Sequence, residues 1–309
     1  MDVLLQQILN GLILGSVYSL VALGYTMVYG ILQLINFAHG EVLMFGAMVG
    51  LSLITAIQII FPGAPGYLLL TFALIVAVPT CAIIAAIIER VAYRPLRNAP
   101  RLAPLITAIG ISIILQTIAM IIWSPNPKVF PDLLPIETIQ LFGAVISPKQ
   151  ILIITTATIS MILLMVFVMK TNFGRAMRAV SENPEMASLM GISVNKVISI
   201  TFMLGATLAA IAGILVALNY NYVHFTMGFI LGLKAFTAAV LGGIGNLAGA
   251  VLGGLLLGLI ESLGGGYLGD LTGGFLGSHY QDVLSFGVLV LVLIIRPSGI
   301  LGERVSDKP

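Results

Sequence analysis

Runs of about 20 apolar residues recur along this chain of 309 residues, and a helix of that length crosses the roughly 30 Å hydrocarbon core of a bilayer. Charged residues make up only 8% of the chain, whereas soluble domains carry roughly 25%. The sequence therefore predicts an all-α, polytopic integral membrane protein. We expect a single transmembrane domain over residues 1–309, with about eight to ten transmembrane or re-entrant helices.

Six apolar runs are clear candidates for spanning helices, and two later runs are less regular. The six candidates cover residues 9–32, 42–61, 67–88, 102–123, 151–169 and 197–218. The later runs are residues 235–262, which are rich in glycine, and residues 283–295, which form a short stretch.

The basic residues are concentrated in three segments. Of the 14 Lys and Arg residues, four lie in 89–101, four lie in 170–196, and three lie in the tail that starts at Arg296. The positive-inside rule places these three segments in the cytoplasm. The proline-rich segment 124–148 is then predicted to be external.

This orientation conflicts with a simple count of spans. Eight simple crossings would leave both termini outside, although the C-terminal tail is basic. We therefore expect residues 223–262 to break rather than to cross once. Broken helices are tolerated at membrane depth only where they are buried in protein or line a cavity, so the break is a candidate for the transport path. The residues predicted to form it are Gly242, Gly243, Gly245 and Asn246.

The cytoplasmic segment 170–196 is polar, whereas long apolar runs stand on both sides of it. We expect a helix that continues from Met169 through Arg178 and ends near Asn183, because the residue before a proline avoids the α region. Asn183 is then a good N-cap, and Pro184 suits the first position of a second helix.

This second helix is predicted to cover residues 184–190, because Gly191 suits the position just after a helix. Met186, Leu189 and Met190 share one of its faces at i, i+3, i+4 spacing. A helix of about seven residues is not stable alone in water. Its apolar face must therefore dock, either on the chain's own membrane helices or on a cytoplasmic partner.

A second polar group, Ile-Asn-Phe-Ala-His-Gly-Glu (35–41), lies between two spanning candidates at a predicted cytoplasmic end. Asn36, His39 and Glu41 are costly at membrane depth and are expected to face the bundle interior or water. They either fix an elbow by hydrogen bonds or line and gate the path. One His and one Glu two residues apart are too few ligands for a metal site, so no metal is expected.

No motif for catalysis is evident. The sequence contains no Gly-Lys pair and hence no Walker A loop for ATP. Two alternatives remain open from the residues alone. One is a transporter driven by an ion gradient, which would use Glu41, Lys234 and Glu261. The other is an intramembrane hydrolase built on Ser112 in Gly-Ile-Ser-Ile (110–113).

Four motifs resemble one family. They are ERVAYRPLR, INFAHGE, GRAMRAVSENPEMASLMGI and KAFTAAVLGGIGNLAGAVLGG, in a match from about residue 10 to residue 302. Together they resemble the LivH-type permeases of bacterial branched-chain amino-acid ABC importers. The resemblance implies an ABC importer permease bundle, in which residues 175–194 are the coupling segment that docks on an ATP-binding subunit. The candidate coupling residues are Arg178, Glu182, Asn183, Pro184, Ala187, Met190 and Gly191.

The same resemblance implies the rest of the assembly. A LivM-like permease, LivG-like and LivF-like ATP-binding subunits, and a periplasmic or lipid-anchored binding protein are the expected partners in the bacterial inner membrane. ATP and Mg²⁺ belong to the partners, and this chain is expected to bind no cofactor and to be no enzyme. The implied substrates are leucine, isoleucine and valine. Related permeases carry urea or short amides, which remains the alternative.

Overall fold

The computed structural model describes residues 2–97, 99–100, 102–135, 137–141, 143–273 and 280–302. Within these ranges the chain forms helices and four very short strands. The helices are α1 (Asp2–Leu32), α2 (His39–Ile60), α3 (Gly66–Ile88), α4 (Leu102–Trp123), α5 (Pro148–Lys170), α6 (Asn172–Glu182), α7 (Pro184–Leu189), α8 (Val194–Tyr220), α9 (Met227–Gly242), α10 (Leu247–Leu271) and α11 (Gln281–Ile295). The strands are β1 (Lys128–Val129), β2 (Ile139–Leu141), β3 (Ala144–Ile146) and β4 (Tyr222–Val223).

Seven of the helices in the described ranges are long and apolar enough to cross a membrane, namely α1 to α5, α8 and α10. The predicted fold class is therefore confirmed. Helix α4 has the predicted bounds, and α3 continues beyond its predicted end through a π turn, Glu89–Tyr93, and a 3-10 turn, Arg94–Leu96. The protein is a multi-pass membrane protein.

The inner helices α1 and α10 pack with their backbones in contact. A Cβ atom at Gly11 would lie 2.8 Å from the Cα of Leu259, and one at Gly15 would lie 2.8 Å from the Cα of Leu255. Small residues permit this approach between membrane helices. Because residue numbers rise on α1 as they fall on α10, the two helices are antiparallel.

Helices α2 and α8 form a second close pair and run in the same direction. A Cβ at Gly46 would lie 2.6 Å from the Cα of Ala210, and one at Gly50 would lie 3.1 Å from the side chain of Ile214. Both helices carry completely buried apolar residues, among them Leu43 and Ala47 on α2 and Ala209 on α8. Backbone contact at small residues therefore positions the helices that surround the candidate path.

Helices α3, α4 and α5 form an outer layer with apolar side chains exposed along their lengths. Ile121 on α4 is 75% exposed, and Leu163 on α5 is also exposed. In a soluble protein such a surface would be an aggregation liability. In a multi-pass membrane protein such a surface is suited to contact lipid or another membrane subunit.

The predicted break at residues 242–246 is confirmed. Helix α9 ends at Gly242, and Gly243 and Gly245 adopt positive φ angles of 105° and 101°. Asn246 caps α10, because its side-chain Oδ1 accepts a hydrogen bond of 3.0 Å from the Gly249 N–H. If α9 and α10 each cross the membrane, the number of crossings rises from eight to nine. The basic C-terminal tail then lies on the cytoplasmic side, together with the other two basic segments.

The C-terminal segment completes the hydrogen bonding at this break. The Ile300 N–H donates to the Leu241 carbonyl, and the Leu301 N–H donates to the Gly242 carbonyl, both at 2.9 Å. The side chain of Asn246 donates to the Leu301 carbonyl at 3.0 Å. Carbonyl groups that are left free at the end of α9 therefore obtain partners from the tail.

The predicted external segment 124–148 carries three of the four short strands found in the described residues. Strand β1 pairs antiparallel with β4, so that Lys128 lies opposite Val223, and β2 pairs with β3. The side chain of Asn221 donates to Asp132 at 2.8 Å. These contacts hold the connection between α8 and α9 against the external segment.

Candidate functional site

The cytoplasmic segment begins with a break that the sequence analysis missed. Helix α5 ends at Lys170, and the Thr171 hydroxyl accepts a hydrogen bond of 3.1 Å from the Gly174 N–H. Thr171 is thus the N-cap of a new helix, α6. Gly174 lies against the Val168 carbonyl, where no side chain fits. The predicted continuous helix from Met169 through Arg178 is therefore wrong.

The predicted short helix is confirmed within one residue. The Asn183 Oδ1 accepts hydrogen bonds of 3.0 Å from the N–H groups of Glu185 and Met186. Helix α7 starts at Pro184 and ends at Leu189, one residue before the predicted end. Gly191 follows in the left-handed conformation, with φ of +83°, which favours glycine.

Helix α7 exposes its apolar face. Ala187 is buried and holds α7 against the bundle, and its carbonyl accepts from the Ile192 N–H at 3.0 Å. Met186, Leu189 and Met190 are 60%, 82% and 82% exposed. The face is therefore available for docking, and it does not pack on the chain's own membrane helices.

Two further predicted coupling residues lie on α6. The Arg178 guanidinium donates to the Val168 carbonyl near the end of α5, so Arg178 joins α6 to a membrane helix. Glu182 is the last residue of α6 and is exposed. The seven predicted coupling residues therefore belong to one compact α6–α7 unit at the end of α5.

The group at residues 36–41 lies deeper than predicted. His39 and Glu41 form the first turn of α2 and are buried. The Glu41 Oε1 accepts from the Ser112 hydroxyl at 3.0 Å and from the Gln116 amide at 2.7 Å, and both donors lie midway along α4. The predicted location at a cytoplasmic end is therefore wrong for the start of α2. Ser112 uses its hydroxyl to hold Glu41.

Close helix contact explains how α2 begins inside the bundle. A Cβ at Gly40 would overlap the Gly228 carbonyl oxygen and would lie 3.0 Å from the Cα of Gly232 on α9. Asn36, just before this turn, accepts from the Tyr93 hydroxyl at 2.9 Å. The predicted elbow fixed by hydrogen bonds is thus present, and it packs on α9.

Two polar atoms at this elbow have no hydrogen-bond partner among the described residues. They are the His39 Nε2 and the Glu41 Oε2. The His39 ring stacks edge to face with Tyr25, with ring centroids 4.9 Å apart. In the described part of the chain, no group of three or more His, Cys, Asp or Glu side chains is arranged to hold a metal ion.

A cavity of about 470 Å³ opens beside β4, on the side of the external segment. Sequence analysis named Lys234 and Glu261 only for the alternative of a transporter driven by an ion gradient and did not assign a cavity there. The predicted path residues at 36–41 and 242–246 do not line this cavity. The residues that line it are Tyr18, Pro127, Val216, Tyr220, Tyr222, His224, Thr226, Met227, Ile230, Leu231 and Lys234.

Lys234 joins three helices at the inner wall of the cavity. Its Nζ lies 2.6 Å from the Glu261 Oε1 on α10 and 2.7 Å from the Asp282 Oδ1 on α11. Tyr18 donates to the Glu261 Oε2 at 3.0 Å, and Ser285 donates to the same oxygen at 3.2 Å. A buried cation with this many partners holds α9, α10 and α11 together.

The family described as "Branched-chain amino acid transport system / permease component" matches residues 7–293. BraD of Pseudomonas aeruginosa, a high-affinity branched-chain amino acid transport system permease protein, is 46% identical over 309 residues, which cover 98% of this chain and 97% of BraD. LivH of Escherichia coli K12, with the same description, is 43% identical over 308 residues and 98% and 97% of the two chains.

Among solved structures, PsaBC from Streptococcus pneumoniae in complex with Fab covers 94% of this chain and 91% of its own, at 16% identity and a TM-score of 0.48. That likeness is too distant to bear on the assignment. The close relatives confirm the resemblance that the four motifs indicated. This chain belongs to the family of permease components of branched-chain amino acid transport systems.

Proposed function

We propose that this chain is a membrane subunit of an ABC importer that carries leucine, isoleucine and valine across the bacterial inner membrane into the cytoplasm. Family membership supports the substrate class and the importer class. The observation that carries the coupling role is the exposed apolar face of α7, formed by Met186, Leu189 and Met190. An apolar face of this kind fits a groove on a partner protein.

The proposed assembly supplies what this chain lacks. The sequence has no Walker A loop, so ATP and Mg²⁺ bind to LivG-like and LivF-like subunits, and ATP hydrolysis takes place there. A LivM-like permease is the second membrane subunit. A periplasmic or lipid-anchored binding protein delivers the amino acid. This chain itself binds no cofactor.

The contacts of α7 suggest how movement reaches the membrane helices. Helix α7 docks on an ATP-binding subunit, which moves when ATP closes the pair of subunits. Asn183 joins α7 directly to α6, and Arg178 ties α6 to the Val168 carbonyl of α5. Helix α6 also contacts α8 and α1. A displacement of α7 is therefore transmitted through short, packed connections to three spanning helices.

The coupling role is tested by making the exposed face acidic. In the variant Leu189→Glu/Met190→Glu, the permease folds, because both side chains are exposed in the free chain. We expect the ATP-binding subunits to fail to co-purify and ATP-dependent leucine uptake to be lost. The matched control is Leu189→Met/Met190→Leu, which keeps an apolar face and retains both properties. Normal assembly and uptake by the acidic variant would refute the coupling role.

The substrate class is tested on the binding protein that serves this permease. Titration of the purified binding protein with leucine, isoleucine, valine and urea measures its preference directly. We expect the three amino acids to bind and urea not to bind. A preference for urea overturns the amino-acid proposal and leaves the importer class standing. Leucine uptake by proteoliposomes that lack the ATP-binding subunits would instead favour a transporter driven by an ion gradient.

A further inference from the structure

We propose that the cavity beside β4 is the site where this permease holds the charged groups of its amino-acid substrate, with Lys234 binding the carboxylate. The inference rests on the proposed function and adds a location to it. Ionisable side chains inside a membrane protein are costly, and they mark substrate or ion pathways. Lys234 lines the cavity, and its side chain is only 9% exposed.

Negative charges outnumber positive charges in the ion-pair cluster around Lys234. One ammonium group faces two carboxylates, Glu261 and Asp282, at 2.6 and 2.7 Å. Glu261 is buried and is held by three donors, so it is the fixed partner. The side chain of Asp282 is 52% exposed and has no second donor among the described residues, so it is the partner that Lys234 can exchange.

A zwitterion suits this exchange. When a substrate carboxylate replaces Asp282 on Lys234, one ion pair breaks and another forms, so the buried ammonium is never left unpaired. The substrate ammonium enters a region with an excess of negative charge. Ion pairs in such a partly desolvated site are stronger than at an open surface.

The remaining walls fit the rest of a branched amino acid. Val216, Ile230 and Leu231 supply apolar surface for an aliphatic side chain. Tyr220 and Tyr222 also line the cavity, and aromatic rings of this kind attract an ammonium group. A volume of about 470 Å³ lies within the range of about 300–1,000 Å³ that is usual for small-molecule sites.

The cavity lies at the correct end for reception from an external binding protein. Pro127 belongs to the predicted external segment, and Tyr222 lies on the strand that pairs with it. Helix α9, which carries Lys234, runs from this cavity to the glycine break at residues 242–246. The site therefore lies at the outer end of the helix that leads towards the predicted cytoplasmic side.

The proposed chemistry discriminates between the two substrate classes. An uncharged amide such as urea forms hydrogen bonds but cannot replace Asp282 as an ion-pair partner of Lys234. A site that binds a charged group by ion pairing rejects an analogue that lacks that group. We therefore expect leucine to occupy the cavity, whereas leucinamide, 4-methylpentanoate and urea do not.

Cysteine labelling tests occupancy. The native Cys81 is buried, so the variant Ile230→Cys places one reactive thiol in the cavity of the full permease. Leucine at about ten times its dissociation constant should slow maleimide labelling about tenfold, by mass action. Leucinamide, 4-methylpentanoate and urea should not slow it. The control is Val129→Cys, exposed on β1 outside the cavity lining, where leucine should have no effect.

Lys234 is tested in the same background. Adding Lys234→Met to Ile230→Cys should abolish protection by leucine, and adding Lys234→Arg should retain it. An unchanged labelling rate without leucine shows that the cavity has kept its shape. If Lys234→Met disrupts that rate, Asp282→Asn is the second variant, because Asp282 is half exposed and its loss leaves the buried Lys234–Glu261 pair intact. Asp282→Asn should weaken protection severalfold, because the excess negative charge that attracts the substrate ammonium is then lost.

Protection that persists in Lys234→Met, or that urea produces as well as leucine does, overturns the inference. Absence of protection in the Ile230→Cys permease also overturns it, provided that the importer that carries Ile230→Cys still takes up leucine with ATP. A wild-type importer that takes up no leucine refutes the proposed function instead. In the assembled importer, Lys234→Met should lower the maximal uptake rate by about tenfold or more and leave half-saturation by the loaded binding protein unchanged.

Discussion

The start of α2 and the short helix α7 depart from the usual rule of burial in opposite ways. At the start of α2, His39 and Glu41 are buried although both are polar. On α7, Leu189 and Met190 are more than four-fifths exposed although both are apolar. In the first region the polar groups obtain some of their hydrogen-bond partners inside the chain, although the His39 Nε2 and the Glu41 Oε2 have none among the described residues. In the second region the apolar side chains stay exposed in the part of the chain that the structure describes.

This difference separates two kinds of constraint. The residues at the start of α2 contact α4 and α9, so changes there act on the stability of the permease itself. The exposed residues of α7 contribute little to that stability, and changes there act on assembly. Sites where polar side chains are buried or apolar side chains are exposed are expected to be functional or strained sites. In these two regions, measurements of stability and of assembly distinguish the two cases.

The largest effect on the folding of the permease is expected from Gly40→Leu. The added side chain would overlap the Gly228 carbonyl, so α2 and α9 could no longer pack. We expect almost no monodisperse protein on size-exclusion chromatography in detergent. The control is Gly110→Leu on α4, where a Cβ has nothing within 4 Å, and this variant should behave as wild type. Equal yields of the two variants would contradict the close packing described for Gly40.

A smaller loss of stability is expected from Glu41→Ala than from Gly40→Leu. The Ser112 hydroxyl and the Gln116 amide would both lose their acceptor inside the bundle. Each unsatisfied buried group costs about 1–3 kcal/mol, so the free energy of unfolding should fall by about 2–6 kcal/mol for the two donors. Thermal unfolding in detergent measures the change. Glu41→Gln keeps one acceptor oxygen and should lose less, and a wild-type unfolding midpoint for Glu41→Ala would show that these bonds contribute nothing.

Asn183→Ala should act on α7 alone. Removal of the cap leaves the N–H groups of Glu185 and Met186 without their acceptor, at a cost of about 1 kcal/mol to the helix. Hydrogen exchange at these two amides should quicken about fivefold, while the unfolding midpoint of the bundle stays unchanged. Asn183→Ser restores a capping oxygen and should restore slow exchange. Unchanged exchange in the alanine variant would mean that tertiary contacts hold α7.

The smallest effect on the isolated permease is expected from Leu189→Gln. Because this side chain is 82% exposed, the free energy of unfolding should change by no more than about 0.5 kcal/mol. Binding of the ATP-binding subunits should weaken nevertheless. When the same two quantities are measured on Glu41→Ala, the free energy of unfolding should fall more than the binding of the ATP-binding subunits does. A clear loss of thermal stability in Leu189→Gln would place Leu189 in an internal contact and remove the contrast between the regions.

Local signals were sufficient for much of the fold. The apolar runs predicted the spanning helices, because the thickness of the bilayer requires about 20 consecutive apolar residues, and such a run is visible in the sequence. The cap at Asn183, the end at Gly191 and the break at 242–246 were also predictable, since each depends on the preferences of a few consecutive residues. Thr171 was the local signal that was overlooked, because a β-branched residue next to an apolar helix does not by itself indicate a cap.

The cluster around Lys234 was not predictable in the same way. Its partners Glu261 and Asp282 lie 27 and 48 residues away, on α10 and α11. Helix α10 lies antiparallel to α9 only because the break turns the chain. The depth of Glu41 was misjudged for a similar reason. Its depth is set by contacts of Gly40 with α9, and nothing within residues 36–41 indicates which helix lies opposite.

The hydrogen bonds of the tail at the glycine break have a mechanical consequence. The N–H groups of Ile300 and Leu301 hold the last carbonyls of α9, and Lys234 on the same helix is paired to Asp282 on α11. Helix α9 is therefore joined to the C-terminal part of the chain at two places, at its middle by the ion pair to α11 and at its end by the hydrogen bonds to residues 300–301. If α9 moves during transport, either α11 and residues 300–301 move with it, or the two backbone hydrogen bonds and the ion pair must first break.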